Sequence, residues 1–416
     1  MRIAITGIGV ISGQGVGVKQ TLRNLLNPQL FLGKAKLFDT SLKVPVCEVP
    51  LSNKELAVMV GGNHSRTAML GMVAAREAMT DAFGGTGAFK NGGASDFNGV
   101  GASDFGGGRI GLVSSTSTAG MDRTEKFYRL YMQHSIDIDI RDIEEHDCGS
   151  STINIARYCK ITDFATTIST ACSSSANAII LGAGLIRQGL LDTVLVGGTD
   201  ALCISTLNGF NSLKILDSEP ARPFDASRAG LNLGEGAGYI VLQREDIVTR
   251  TPYAYLSGYA NATDTFHQTA SSENGEGSFR AMSEALMVSG LQQSDIDYIN
   301  VHGTGTPNND TSEGAAILRI FGTNVNTGRC VNIPPFSSTK PLTGHTLAAC
   351  GGIEAVFCVL ALQYGLLYPN LNFKNPILPE LVPQTKLVTD RPLSHILSNS
   401  LGFGGNCTSL IFSHIR

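Results

Sequence analysis

Asp163-Phe-Ala-Thr-Thr-Ile168-Ser-Thr-Ala-Cys172-Ser-Ser-Ser-Ala-Asn-Ala-Ile-Ile180 changes character in its middle. As far as Thr170 it is rich in β-branched residues, as a buried strand would be. From Ser173 to Gln188 the spacing is helical, with a face of small residues (Ala176, Ala178, Gly182, Ala183) that permits close packing. A strand that turns directly into a close-packed helix is the building unit of layered α/β folds. Cys172 falls at the helix start, where unpaired backbone N–H groups and the positive end of the helix dipole favour thiolate over thiol. The expectation is a nucleophilic cysteine activated by the helix start.

The same alternation runs along the whole chain. Arg2 to Ile11 reads as a buried strand, Val18 to Leu26 and His64 to Phe83 as helices, and Arg109 to Ser114, Asp192 to Gly198 and Tyr239 to Gln243 as strands. The theme then restarts: strand over Tyr253 to Ala260, helix over Phe279 to Val288, strand over Tyr298 to His302, buried helix over Thr346 to Tyr364, and late strands over Ser394 to Asn399 and Thr408 to Phe412. These elements predict an α/β protein with largely buried sheets, divided into residues 1–250 and 251–416. Helices 173–188 and 346–364 each follow a catalytic candidate, which hints at internal duplication.

Bulk properties exclude several function classes. A net charge of -4 from 31 basic and 35 acidic residues, with no dense Lys/Arg run, argues against nucleic acid as a partner. Nine cysteines without a CxxC suggest neither a disulfide framework nor a zinc ribbon, and fit a reducing cytoplasm. No HExxH or paired His/carboxylate spacing occurs, so no metal centre is expected. The N-terminus runs straight into a strand without a signal-peptide core, and the apolar stretch from Val356 to Leu367 is too short to span a bilayer. Gly7-Ile-Gly9 is half a dinucleotide fingerprint, but Ser12 replaces the third glycine, so nucleotide binding is not expected. Gly84 to Gly108 carries Gly-Ala-Ser-Asp-Phe twice and reads as a tolerated duplication in a surface loop, with Phe97 and Phe105 as contacts if it docks anything.

Three further segments carry chemistry. His302 ends an apolar strand before Gly-Thr-Gly-Thr-Pro307, a turn of small residues that lets a substrate arm pass close to backbone and hydroxyls. Lys340 and His345 lie five residues apart in Lys340-Pro-Leu-Thr-Gly-His345, so one loop can aim both into one cavity. An ammonium among small and apolar residues needs a carboxylate, and Glu313 is the partner expected here. Phe403 sits between glycines in Gly402-Phe-Gly-Gly405, free to move its ring and N–H together.

With these residues in view, the chain resembles the elongating β-ketoacyl-[acyl carrier protein] synthases of the thiolase-like superfamily, both fatty-acid condensing enzymes and type II polyketide ketosynthases. The resemblance rests on Thr170-Ala-Cys172-Ser-Ser, Arg222-Pro-Phe-Asp225, Gly234-Glu-Gly-Ala-Gly238, His302-Gly-Thr-Gly-Thr-Pro307, Lys340-Pro-Leu-Thr-Gly-His345 and Gly402-Phe-Gly-Gly405, which follow one another in the family's order. It implies a duplicated five-layer α/β/α/β/α thiolase-like fold, a homodimer or a heterodimer with a related subunit, and an acyl carrier protein as partner. No cofactor is implied, since the substrates are carried on phosphopantetheine. It further implies an acyl group on Cys172, oxyanion donors at the N–H groups of Cys172 and Phe403, and an enolate held by His302 and His345. Lys340 and Glu313 would orient the His345 loop, Thr304 and Thr306 would meet the pantetheine arm, and Phe210 would bound the acyl pocket. Ser114-Ser-Thr-Ser-Thr118 stands where apolar wall residues are usual. If Thr118 faces the acyl tunnel, an oxygenated or polyene chain fits beside a saturated one.

Two other functions compete on the same fold. A non-catalytic chain-length subunit typically lacks the cysteine, whereas Cys172, His302, His345 and Lys340 are all present here. A thiolase or chain-initiating enzyme uses a Cys-His-Cys or Cys-His-Asn set, whereas the second imidazole selects decarboxylation.

Overall fold

The computed structural model describes residues 1–84, 108–322 and 333–414. The duplicated pentapeptide at 93–97 and 101–105, with Phe97 and Phe105, lies outside the described residues.

Among the described residues there are eleven strands: β1 (Ile3–Ser12), β2 (Gly15–Val16), β3 (Ile110–Ser115), β4 (Phe164–Ile168), β5 (Thr193–Asp200), β6 (Gly236–Arg244), β7 (Ala254–Thr263), β8 (Tyr298–Asn300), β9 (Phe336–Ser337), β10 (His395–Gly402) and β11 (Asn406–Ser413). They are hydrogen-bonded in the order β4-β3-β5-β6-β1-β7-β11-β10-β8-β9, with β2 a short return on β1. Read outward from the centre, β1 pairs antiparallel with β6, β6 antiparallel with β5, β5 parallel with β3 and β3 parallel with β4. Starting from β7, the partners β11, β10, β8 and β9 repeat that sequence of antiparallel, antiparallel, parallel, parallel. The fold is therefore a duplication, and its halves are joined where Ala4 and Ile5 of β1 face Tyr255 and Ala254 of β7.

Each half contributes one helix to a central layer. Helices Ser174–Arg187 and Cys350–Tyr364 pack on each other and on strands of both halves, while Arg66–Phe83 covers the outer face of one half and Glu276–Ser289 with Pro307–Phe321 that of the other. Side chains alternate accordingly. Val194 and Val196 of β5 join the central core with Val356 and Leu360, whereas Leu195 faces outward to Met69 and Val73. All ten residues of β1 are buried, the unbroken apolar reading expected of a strand covered on both faces.

Gly7 and Gly9 have a packing role in this arrangement. A Cβ at Gly7 would lie 2.2 Å from the Ala78 carbonyl oxygen and one at Gly9 2.1 Å from that of Ala74, so both glycines let helix Arg66–Phe83 settle on β1. Among the described residues one helical run, Leu347–Tyr364, is long and apolar enough to cross a membrane. It is longer than the stretch from Val356 because it starts upstream, and 89% of it is buried between the two halves.

Candidate active site

β4 delivers the chain into a strained turn. Ala171 has φ 53°, a left-handed conformation that costs a non-glycine residue about 1–3 kcal/mol and persists only where its surroundings hold it. Here Ser174 Oγ donates to the Ala171 carbonyl at 2.5 Å and accepts the Thr170 N–H at 2.8 Å. Cys172 is thereby set just before helix Ser174–Arg187, only 6% exposed.

The other half brings the imidazoles to it. His345 Nε2 lies 3.0 Å from Cys172 Sγ, and the rings of His302 and His345 stand edge to face with centroids 5.4 Å apart. Lys340 Nζ is 3.2 Å from His302 Nδ1 and 2.7 Å from Glu354 Oε1. Burial opposes its charge, but its neighbours, Glu354 foremost with Cys350 and Glu313, together outweigh burial and hold the lysine protonated. An ammonium can only donate, so His302 Nδ1 accepts and its hydrogen sits on Nε2. Burial with Lys340 and His345 keeps His302 well below its usual pKa, and burial with Lys340 does the same for His345, so both rings are neutral.

Two expectations need correction here. Lys340 pairs with Glu354, the lone carboxylate in the otherwise uncharged helix Cys350–Tyr364, and not with Glu313. Glu313 instead accepts the backbone N–H groups of His302 and Gly303 at 2.8 and 2.9 Å and an N–H of Asn399 at 3.0 Å, so it shapes the turn that carries His302. Nor does the helix start make Cys172 a thiolate. Burial pushes its pKa up to about 12, against the opposing pull of Lys340 and of the backbone N–H groups of Phe403 and Cys172 that reach the sulfur. The resting group is a thiol directed at His345.

The thiol and both imidazoles open onto one cavity of about 240 Å³, which Lys340, Glu354 and Glu313 stand behind and do not line. Cys172, His302, His345, Phe403, Phe210, Thr304 and Thr306 all face it, as do Gln268, Ser271 and Asn308, which no motif in the sequence marks. Phe403 and Phe210 stack at 5.9 Å, and Thr304 Oγ1 and Thr306 Oγ1 are 2.9 Å apart. Thr118 does not line this cavity, contrary to expectation. Its hydroxyl donates to Asp200 Oδ1 at 2.8 Å, the Thr116 and Ser117 hydroxyls also bond Asp200, and Ser114 bonds Tyr239, so this polar run satisfies a buried carboxylate and tyrosine. Among the described residues no group of three His, Cys, Asp or Glu side chains gathers in a form that could hold a metal ion.

Residues 1–247 match the N-terminal domain of β-ketoacyl synthases and residues 253–374 the C-terminal domain. The chain belongs to the β-ketoacyl synthase family. It is 32% identical to 3-oxoacyl-[acyl-carrier-protein] synthase 2 of Staphylococcus aureus (strain MRSA252) over 99% of this chain and 98% of that protein. The corresponding enzyme of Rhizobium meliloti (strain 1021) is 41% identical over 58% of this chain and 59% of its own length. Among solved structures, the ishigamide ketosynthase/chain length factor has a TM-score of 0.87 at 27% identity, covering 100% of this chain and 99% of that one. A chain of the complex of the ketosynthase ApeO with its chain length factor ApeC, from Xenorhabdus doucetiae, has a TM-score of 0.81 at 30% identity and covers 100% and 98%. In this β-ketoacyl synthase the thiol from one half and the imidazoles from the other meet in a single chamber.

Proposed function

We propose that the protein is a 3-oxoacyl-[acyl carrier protein] synthase, an acyltransferase that lengthens fatty-acid or polyketide chains by decarboxylative condensation. The observation that carries this reading is the 3.0 Å contact of Cys172 Sγ with His345 Nε2, beside a His302 whose Nε2–H is fixed by Lys340 at 3.2 Å. In the first half-reaction Cys172 attacks the thioester carbonyl of an acyl chain on the carrier protein's phosphopantetheine. Its proton passes through His345 to the departing pantetheine sulfur, and the N–H groups of Cys172 and Phe403 hold the oxyanion.

Acylation releases His345 from the sulfur. Its buried Nδ1 has no hydrogen-bond partner, so the ring can carry its hydrogen on Nε2 without breaking a bond elsewhere. His302 and His345 then present two N–H donors to the thioester oxygen of a malonyl group. The C–C bond to the carboxylate breaks, CO2 leaves, and the electron pair is held as an enolate. That carbanion attacks the acyl-Cys172 carbonyl and expels the Cys172 thiolate, which takes a proton from solvent; the product is a 3-oxoacyl thioester one two-carbon unit longer.

The acyl carrier protein is the partner named for both 3-oxoacyl synthases above. A related ketosynthase-like subunit is supported by the ApeO–ApeC complex and by the surface of this chain: helix Met121–Met132 buries none of its residues and exposes Tyr128, Tyr131 and Met132, while β4 is an open sheet edge. Free thiols at all eight described cysteines fit a cytoplasmic, reducing compartment. The test is intact-mass analysis with acyl- and malonyl-carrier protein. Wild type gains the acyl mass and, given malonyl-carrier protein, forms the 3-oxoacyl product with release of CO2; Cys172→Ala gains no acyl mass and forms no 3-oxoacyl product, and full condensation by Cys172→Ala would refute the proposal.

A further inference from the structure

We infer that Glu125 positions Phe210, and through it sets which acyl chains pass to Cys172. This rests on the condensing-enzyme reading above and adds a residue for which the reaction itself has no use.

Phe210 is carried by a short helix, Ile204–Ser212, with little of its own to hold it in place. Leu207 is its only buried side chain. Its sequence, Ile-Ser-Thr-Leu-Asn-Gly-Phe-Asn-Ser, is made mostly of poor helix formers, and nine residues are too few for a helix to persist without outside support. Its N-cap is Cys203, whose side chain makes no capping hydrogen bond. The first two N–H groups of the helix are satisfied from another element. Glu125 of helix Met121–Met132 accepts the Ile204 N–H at 3.1 Å on one carboxylate oxygen, and the Ser205 N–H and hydroxyl at 3.0 and 3.2 Å on the other. A negative charge on these donors also opposes the positive end of the helix dipole.

The far end of this small lever meets the reaction chamber. Phe210 stacks on Phe403 at 5.9 Å and stands edge-on to His345 at 6.5 Å. Leu207, three residues earlier and on the same helical face, anchors it against Leu231 and Leu347. With the carboxylate gone, the helix keeps one apolar anchor and the 2.9 Å contact of Cys203 Sγ with Thr206 Oγ1 and loses the bonds to its first two N–H groups, so Phe210 loosens from Phe403. A looser aromatic wall eases long chains and leaves short ones unaffected, because a short acyl group on Cys172 does not reach past it.

The test is the rate of Cys172 acylation by butyryl- and dodecanoyl-carrier protein, followed by intact mass on the full-length protein, with a thermal melt alongside. Glu125→Ala raises the dodecanoyl/butyryl rate ratio by about threefold or more, a size consistent with losing a cap. Cys203→Ser, which places a hydroxyl at the N-cap, brings the ratio of Glu125→Ala back toward wild type. Phe210→Ala raises the ratio by itself, and adding Glu125→Ala to it gives no further change. A lowered melting temperature with an unchanged ratio, or effects of Glu125→Ala and Phe210→Ala that multiply, would overturn the inference. If wild type takes up neither acyl group, the condensing-enzyme reading fails and this inference falls with it; if wild type is acylated and the ratio does not move, this inference alone fails.

Discussion

Each half of the molecule places a cysteine at the start of its central helix, and the two differ in what surrounds the sulfur. Cys172 precedes helix Ser174–Arg187 and Cys350 opens helix Cys350–Tyr364. The two helix starts touch: Cys350 Sγ donates to the Cys172 carbonyl at 3.0 Å, and Gly352 N–H to Ser175 Oγ at 2.8 Å. Burial raises the pKa of both thiols, Cys350 well above its usual value and Cys172 to about 12. A helix start is thus common to both and does not distinguish them. Cys172 differs in opening onto the cavity, in its contact with His345 Nε2, and in the Phe403 N–H that reaches its sulfur. Nucleophilicity in this protein follows from the imidazole and the chamber.

The largest effect that can break this comparison is on His302. Replacing it with alanine removes one of two donors to the enolate, and about 2.7–4 kcal/mol of barrier corresponds to a loss of roughly 10²–10³-fold in condensation. Because His302 does not touch the sulfur in the resting site, acylation of Cys172 by acyl-carrier protein falls far less, so the two half-reactions measured separately diverge. Next comes the buried pair behind the imidazoles. Glu354→Gln leaves the Lys340 ammonium in the core without its carboxylate, and thermal or denaturant unfolding registers a loss of about 3–5 kcal/mol. Lys340→Met with Glu354→Gln together recover part of that stability but not the His302 tautomer, so condensation stays low. The smallest effect is at Cys350. Cys350→Ala removes a weak thiol bond to a carbonyl, costs about 1 kcal/mol in unfolding, and leaves Cys172 acylation within about threefold of wild type.

Much of this was legible in the residues themselves. Cys172, His302, Lys340 and His345 each stand in a short segment whose local context already singles them out, and the structure brings all four together. The alternation of strands and helices carried the duplicated α/β class in the same way. What could not be read depends on distances across the fold. Glu313 is the carboxylate expected beside an ammonium among small and apolar residues, yet Glu354, on the helix that begins just after His345, is the one that reaches it. A lone carboxylate in an apolar, buried helix was the available signal. Thr118 has the right position in the chain for a tunnel wall, and only the placement of Asp200 from β5 shows that its hydroxyl is occupied. The activation of Cys172 was misread because a helix dipole is a local property, whereas desolvation counts every atom packed around the sulfur.

The contrast between the two cysteines is tested most directly by the pH profile of Cys172 alkylation with iodoacetamide, located by peptide mass, in wild type and His345→Ala, with Cys350 as internal reference. A neutral His345 that accepts the thiol proton makes the wild-type rate nearly independent of pH between about 6 and 8. Without it the rate depends on the thiolate fraction alone, so His345→Ala reacts more slowly at neutral pH and rises about tenfold per pH unit across that range, while Cys350 remains unmodified in both. Superimposable profiles for the two proteins would contradict the account and return the activation of Cys172 to the helix start.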